Sequence, residues 1–555
     1  MTSSRGMSHD AVDGQNRHTR AVSSATILAA LEEQVRRRRD EPFILVGHQS
    51  ISFGRAQLHA HRVAGGLAAL GLPKGGRVAY LSQNRPELIG LGFGVAYAGM
   101  VTVPLNAQLV GEFLRHQLVD AEISAIAVDG NGLRVLRPFL ADLQHLKCII
   151  LLDPVAPTDG LTVPVVDFGD VLENEPIEQP HCPAPDDIAL ILYTSGTTGP
   201  AKGCVLSHRY MVRVGNTYNR LLDIGDDDVQ ICVLPMFHMS GQMDLMMALL
   251  SGTPISVEPR FSASQFLSRA RELGATFWAG IGSTVDLLLK QEPKVDDLDS
   301  PLRKWIGVPI TDQQAAAAAA RFGIQTYHQL FAQTEANPVS ASGIGMPADP
   351  GTDGRVLDDI EVKIVDDDGS EVPTGEVGEI LLRPRTPGAM FSGYWAGAGH
   401  PPRGWVSGWH HTGDLGRIDE MAQLRFIDRK KDSMRRKGEN ISALELDQAL
   451  LGFEAFAEVA THGVSVDGEL EQHIKACVVL REGARLDLEE FGRFVADAVP
   501  HFAAPRYIEV FAQLPRNPIG RVQKFELRRN PLSVNTIDLF DLGLTSDRRA
   551  NLGGA

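Results

Sequence analysis

Tyr193-Thr194-Ser195-Gly196-Thr197-Thr198-Gly199-Pro200-Ala201-Lys202-Gly203 decides how this chain is read. An uncharged run, Ile188 to Leu192, precedes it and reads as a buried strand. The eleven residues are dominated by hydroxyls and glycines and carry one lysine. Gly196, Gly199 and Gly203 let the backbone approach a ligand closely and take positive φ, so that successive N–H groups converge on an anion. Ser195, Thr197 and Thr198 add hydroxyl donors, and Lys202 adds a mobile charge. Such a loop is suited to hold phosphate. Its spacing is not that of a Walker loop, in which four residues separate a first glycine from Gly-Lys-[Ser/Thr], and this removes the ordinary P-loop NTPase reading. A Gly/Thr-rich surface turn would account for any five of these residues, but not for all eleven behind a buried-type strand.

Outward from the loop, helical and strand patterns alternate, which implies a layered α/β architecture. Upstream, Ala25 to Arg38 reads as an amphipathic helix, and Arg77 to Leu81, Ile123 to Val128 and Cys148 to Leu152 read as strands. Leu88 to Leu105 is eighteen residues without a charge, a transmembrane candidate by length. Asn84 and Pro86 give a helix start, Gly99 a stop, and Val101 to Pro104 a short strand, so the run divides into a buried helix and a buried strand. Downstream, Ser207 is placed to cap a helix, and Val229 to Leu234, Thr253 to Glu258 and Thr276 to Ala279 read as strands, with a helix over Ser262 to Leu273. The alanine run Ala315 to Ala320 lies in a helix beginning near Thr311, which helix propensity explains without a functional claim.

Composition bounds the function. The chain has 555 residues, 43% hydrophobic and 22% charged, too long for one compact core and therefore multidomain. A net charge of −16 argues against nucleic acid as partner. The five cysteines, Cys148, Cys182, Cys204, Cys232 and Cys477, contain no CxxC pair and read as free thiols in a reducing cytoplasm. The divisions expected are a disordered segment over 1–23, a large domain over 24–428 with a β-rich subdomain over 351–428, a basic connector over 429–443, a smaller α/β lobe over 444–531, and a polar tail over 532–555. No secretory signal and no membrane association is expected, and oligomeric state is left open.

Several further motifs stand in order along the chain: Val233-Leu234-Pro235-Met236-Phe237-His238, Gln333-Thr334-Glu335, Gly375-Glu376-Val377-Gly378-Glu379-Ile380, Trp409-His410-His411-Thr412-Gly413-Asp414, and Asp428-Arg429-Lys430-Lys431-Asp432 through Gly438-Glu439-Asn440-Ile441-Ser442. With the loop, they resemble the adenylate-forming superfamily, which includes acyl- and aryl-CoA synthetases, adenylation domains of nonribosomal peptide synthetases and firefly luciferase. The resemblance covers about residue 25 to residue 530. It implies a large N-terminal domain and a small mobile C-terminal domain, and a reaction in which ATP converts a carboxylic acid to an acyl-adenylate whose AMP is then displaced by the thiol of CoA. Both steps develop charge that must be neutralised.

By this resemblance Thr194, Ser195, Gly196, Thr197, Thr198, Gly199 and Lys202 hold phosphate. Thr334, beside Gln333, meets the α-phosphate, and Glu335 binds Mg2+, because a carboxylate beside a triphosphate needs a cation partner. Asp414 accepts from the ribose hydroxyls and Arg429 faces the nucleotide. His238 borders the acyl pocket and gates the thiol's approach, although a lone histidine between Phe237 and Met239 is more often a packed residue than a catalyst. Met236, Met239 and Met243 adapt to an irregular apolar guest, while Gly280 and Gly282 leave room in the same pocket, to which Gly307 is also assigned, and this points to a bulky apolar or ring-bearing acid. Lys431 matches the hinge pivot, Gly438 the passage for the pantetheine arm, and Arg435, Arg436 and Lys437 suit the phosphates of CoA.

Three departures from the family pattern stand out. Phe331-Ala332 replaces the usual Tyr-Gly, keeping a ring to stack on adenine, and Ile306-Gly307-Val308-Pro309 replaces a more open adenine loop. Arg521 stands where the family places the lysine that serves adenylation. Guanidinium is broader and planar and makes a poorer point charge than an ammonium. Either Arg521 or Lys524, three residues on, supplies the charge, or adenylation is crippled while thioester formation survives and another enzyme supplies the acyl-adenylate. A complete ligase and a non-catalytic protein binding nucleotide and acyl group are the alternatives.

Overall fold

The computed structural model describes residues 22–109, 111–153, 158–194, 201–307, 310–324, 329–343, 351–400, 403–430, 434–436, 439–441, 443–466, 472–499, 503–516 and 522–545. The fold is mixed α/β, as expected. By its contacts the chain divides into two compact units, one of residues 1–361 and 383–405, the other of 362–382 and 406–555. This division differs from the expected one, since part of the β-rich segment groups with the C-terminal residues.

The first unit is built on two large sheets. One has eight strands in the order Gly393–Tyr394, Lys202–Ser207, Ile188–Thr194, Val101–Leu105, Arg77–Leu81, Ile123–Val128, Cys148–Leu151 and Val165–Asp167. From Ile188–Thr194 onward the pairing is parallel, and these strands read as unbroken hydrophobic runs because both faces are covered; all six residues of Ile123–Val128 are buried. The phosphate-loop hairpin adds antiparallel strands at one edge. The other sheet orders Lys304–Gly307, Phe277–Gly280, Gln230–Cys232, Ile255–Val257, Pro42–Val46 and Gln49–Ser52.

Local signals set the helix starts. Thr26, Ser207 and Thr311 each cap the N-terminus of a helix, Ile27–Arg38, His208–Leu221 and Asp312–Phe322 respectively. The uncharged eighteen-residue run becomes helix Glu87–Tyr97 and strand Val101–Leu105, with Gly99 at φ +69° between them. Asn84, expected to start that helix, instead donates to the carbonyls of Leu234 and Glu258 and accepts from Met236 N–H at 2.7 Å. No described helix is long and apolar enough to cross a membrane.

The second unit contains the sheet Ile360–Val365, Gly378–Pro384, His410–Ile418 and Leu424–Arg429, and another of Phe456–Ser465, Gln472–Leu480, Tyr507–Val510 and Ile537–Asp538. The segment from residue 532, read as a tail, is described as far as 545, with Leu539 and Thr545 buried. It supplies strand Ile537–Asp538 and the fully buried Leu539. At the other end of the chain only residues 22 and 23 of the expected disordered segment are described; Val22 is buried and donates to Leu250 O at 2.9 Å.

Candidate functional site

In the first unit the stems of the phosphate loop are strands Ile188–Thr194 and Lys202–Ser207, paired so that Thr194 faces Lys202. Helix Gly111–Asp120 holds both stems from one face. Its His116 meets Ala201 O at 2.9 Å, and Asp120, one turn on, accepts from Tyr193 Oη at 2.6 Å. Burial and the neighbouring Asp120 carboxylate push the Tyr193 phenol well up, so it stays a donor. Trp395 donates from Nε1 to Asp120 O, and its N–H donates to Gly203 O. Ser195, Gly196, Thr197, Thr198 and Gly199 lie outside the described residues.

Thr334 and Glu335 follow strand Leu330–Gln333, and helix His208–Leu221 braces them. Tyr210 Oη donates to Thr334 O at 2.9 Å, Arg213 donates to Asn337 O at 2.6 Å and Pro338 O at 3.0 Å, and Tyr218 Oη donates to Asn337 Oδ1. Arg213 also grips both oxygens of Asp359 at 2.8 Å. The sequence reading missed these three residues; the signal was a strongly amphipathic helix directly after the loop, carrying polar-tipped side chains on its inner face.

Glu335 is 8% exposed and accepts from Tyr394 Oη at 2.7 Å. Beneath it, burial first and the Glu335 carboxylate second push the Cys204 thiol up. Among the described residues no group of three or more His, Cys, Asp or Glu side chains forms a metal cage. A lone, nearly buried carboxylate fits Mg2+, which typically keeps its waters and takes one or two carboxylates together with substrate phosphates. Phe331 is 6% exposed, so the ring expected to stack on adenine is covered; Ala332 and Gln333 are half-buried.

The acyl-pocket residues are more closed than expected. Met236, Met239 and Met243 are buried, whereas Phe237 is half-buried and His238 exposed. His238 caps helix Met239–Ser251, its Nδ1 accepting from Ser240 N–H at 3.3 Å. The space beside Gly280 is filled: a Cβ there would lie 2.5 Å from Trp278 Cζ3, and one at Gly307 would lie still closer to Ile310. The side chains of Trp278 and Ile310 thus occupy the space beside these two glycines. Gly282 begins helix Gly282–Leu289 and is buried.

In the second unit Asp414 and Arg429 are brought together as a cross-strand pair, with Arg429 Nε 2.8 Å from Asp414 Oδ1. Asp414 is 1% exposed, so its charge has a partner within the protein. Asp428 accepts from the N–H groups of Arg429, Ala443 and Leu444 and so ties the end of strand Leu424–Arg429 to the start of helix Ala443–Leu451. Lys524, considered as a substitute for the adenylation lysine, is engaged elsewhere: its Nζ lies 2.8 Å from Asp447 Oδ2, and both side chains are largely buried. Arg435 and Arg436 belong to the short strand Met434–Arg436. Lys431, Lys437, Gly438, Val308 and Arg521 lie outside the described residues. A cavity of about 510 Å³ in this unit, lined by Glu509, Phe511, Arg516, Glu526, Asn530 and Ser533 among others, contains none of the expected site residues.

A family model described as AMP-binding enzyme matches residues 31–395, and one described as AMP-binding enzyme C-terminal domain matches residues 445–521. A crotonobetaine/carnitine–CoA ligase from Shigella flexneri is 30% identical over 482 residues, 84% of this chain and 91% of that one. The crystal structure of ATP-bound MatB from Rhodopseudomonas palustris superposes with a TM-score of 0.80 at 25% identity, covering 92% of this chain and 99% of that one. A benzoate CoA ligase from Burkholderia xenovorans LB400 has the same fold, with a TM-score of 0.78 at 23% identity over 91% of this chain and 99% of that one.

Proposed function

This chain belongs to the AMP-binding enzyme family and is an acid–thiol ligase of the acyl- or aryl-CoA type, and from that premise we propose that its strength lies in the second half-reaction, with adenylation impaired. In the first step a carboxylate oxygen of the acid attacks the α-phosphorus of ATP and pyrophosphate leaves. In the second the CoA sulfur attacks the acyl carbon and AMP leaves. The phosphate loop with Lys202 is assigned the phosphates, Thr334 the α-phosphate, Asp414 the ribose hydroxyls and Arg429 the nucleotide. Glu335 is assigned Mg2+, which when bound supplies positive charge to the phosphate oxygens.

The observation that carries the impaired first step is the pairing of Lys524 with Asp447. It supports the view that Lys524 does not compensate for Arg521, since freeing Lys524 would leave a largely buried carboxylate without its cation. The acid is proposed to be apolar or ring-bearing. Support comes from the methionine-rich helix Met239–Ser251 behind Phe237 and His238. An acyl-adenylate made by a separate enzyme would be its natural feed.

The test compares ATP–pyrophosphate exchange with conversion of supplied acyl-adenylate and CoA to thioester, across a panel of acids. Arg521→Lys is expected to raise exchange by up to roughly 100-fold, the worth of one preorganised charge at a transition state, with thioester formation nearly unchanged. Rapid exchange by the unmodified protein would instead make it a complete ligase. Failure to use any acyl-adenylate would remove the proposal altogether.

A further inference from the structure

Tyr394 was absent from the residues that the sequence singled out, yet it touches two that were. It stands on strand Gly393–Tyr394, which pairs antiparallel with Lys202–Ser207 so that Tyr394 lies opposite Cys204. Lys202 is two residues from Cys204 on the same strand, hence on the same face and diagonal to Tyr394, within reach of a long side chain. Its Nζ lies 5.1 Å from the centroid of the Tyr394 ring, a cation–π distance. At the other end of the side chain, the hydroxyl donates to Glu335 Oε1 at 2.7 Å.

The side chain has little freedom. Tyr394 exchanges backbone hydrogen bonds with Arg403, and Phe391 packs edge-on at 5.0 Å between ring centroids. Gly404, at φ +112°, presses against the ring so closely that a Cβ would stand 2.4 Å from Cδ2. Phe391 N–H also donates to Glu335 O at 2.9 Å, so one short segment fixes both the donor and the backbone of the acceptor.

We propose that Tyr394 is a positioning residue that couples the phosphate-loop lysine to the acidic residue assigned to Mg2+, its ring seating the Lys202 ammonium and its hydroxyl orienting the Glu335 carboxylate. The inference rests on the metal role given to Glu335. A tyrosine fixed on one oxygen holds the carboxylate plane, and partners of this kind typically govern metal affinity by about 10-fold to 100-fold. The ring face and the hydroxyl thus serve different ligands, phosphate through Lys202 and metal through Glu335.

Because the two arms are separable, two substitutions test them. Calorimetric titration of ATP, without acid, is run in excess Mg2+ and again in EDTA on the full chain. Tyr394→Phe keeps the ring and loses the hydroxyl. It is expected to lower the Mg2+-dependent gain in ATP affinity by about 10-fold while leaving affinity in EDTA unchanged. Tyr394→Leu is expected to lose affinity in EDTA as well, because Lys202 loses its aromatic seat. Thermal transitions confirm that each variant is folded, and a merely structural tyrosine would not make ATP affinity depend on metal in this way. Glu335→Gln is the control. If it abolishes the metal-dependent gain and Tyr394→Phe does not reduce it, the Tyr394 proposal is overturned while the reading of Glu335 stands. If Glu335→Gln leaves the gain intact, both fall.

Discussion

Lys524 shows what one side chain's partner can decide. Burial raises the Asp447 pKa from 3.8 to about 6, against the opposing pull of Lys524 and of the Thr461 hydrogen bonds. A carboxyl raised in this way contributes stability that is fully present below its unfolded value and is lost as pH rises through about 6. Lys524→Met should raise Asp447 further and deepen that loss. Breaking a buried pair costs about 3 to 5 kcal/mol, and with both groups partly exposed about 2 kcal/mol is expected near pH 8, little near pH 4. Thermal unfolding at the two pH values measures it; equal losses at both would mean that the pair does not bear on stability. The sequence offered Lys524 as a spare ammonium because it stands three residues from Arg521, but its partner lies 77 residues upstream. No local pattern reveals such a pairing. Glu335 stood out because its motif is local, while Tyr394 did not, because its strand pairs with distant Lys202–Ser207 and its hydrogen bond to Glu335 spans 59 residues.

At the scale of an element, helix His208–Leu221 links the fold to the site. Tyr210, Arg213 and Tyr218 reach across to residues 334–338, and Arg213 alone replaces the solvent of two carbonyls and one carboxylate. Arg213→Met keeps the length of the stem but leaves these acceptors unpaired, at about 1 to 3 kcal/mol for each buried group. Stability should fall by about 3 kcal/mol and ATP affinity with it, since Thr334 and Glu335 lose their support. Arg220→Ala on the exposed side of the same helix should change stability by less than about 0.5 kcal/mol; denaturant titration of the two variants separates the cases. Helix His208–Leu221 itself was readable from the Ser207 cap, and the parallel strands from their unbroken apolar runs. Strand Ala336–Ala341 was not, although all six of its residues are buried, because Asn337, Pro338 and Ser340 give it neither alternation nor an apolar run. There tertiary packing overrides propensity.

For the whole molecule, the sequence carried the mixed α/β class and the order of motifs, since hydrophobic period and glycine placement are local. It did not carry the grouping of residues 362–382 with the C-terminal part, because contacts between segments distant in sequence leave composition unchanged. Within that second unit the Asp428 carboxylate closes a ring of chain from residue 428 to 443. Asp428→Ala should cost about 1 kcal/mol of stability, the ordinary worth of an N-terminal helix cap, and should loosen the connector where the family resemblance places the pivot. The Ala443 and Leu444 amides are the donors to that carboxylate, so each can trade its proton for deuterium only while the ring is open. Their exchange rates therefore act as a clock for opening: a ligand that favours the open ring quickens both, one that favours the closed ring slows both, and in Asp428→Ala the clock runs at the unprotected rate with or without ligand.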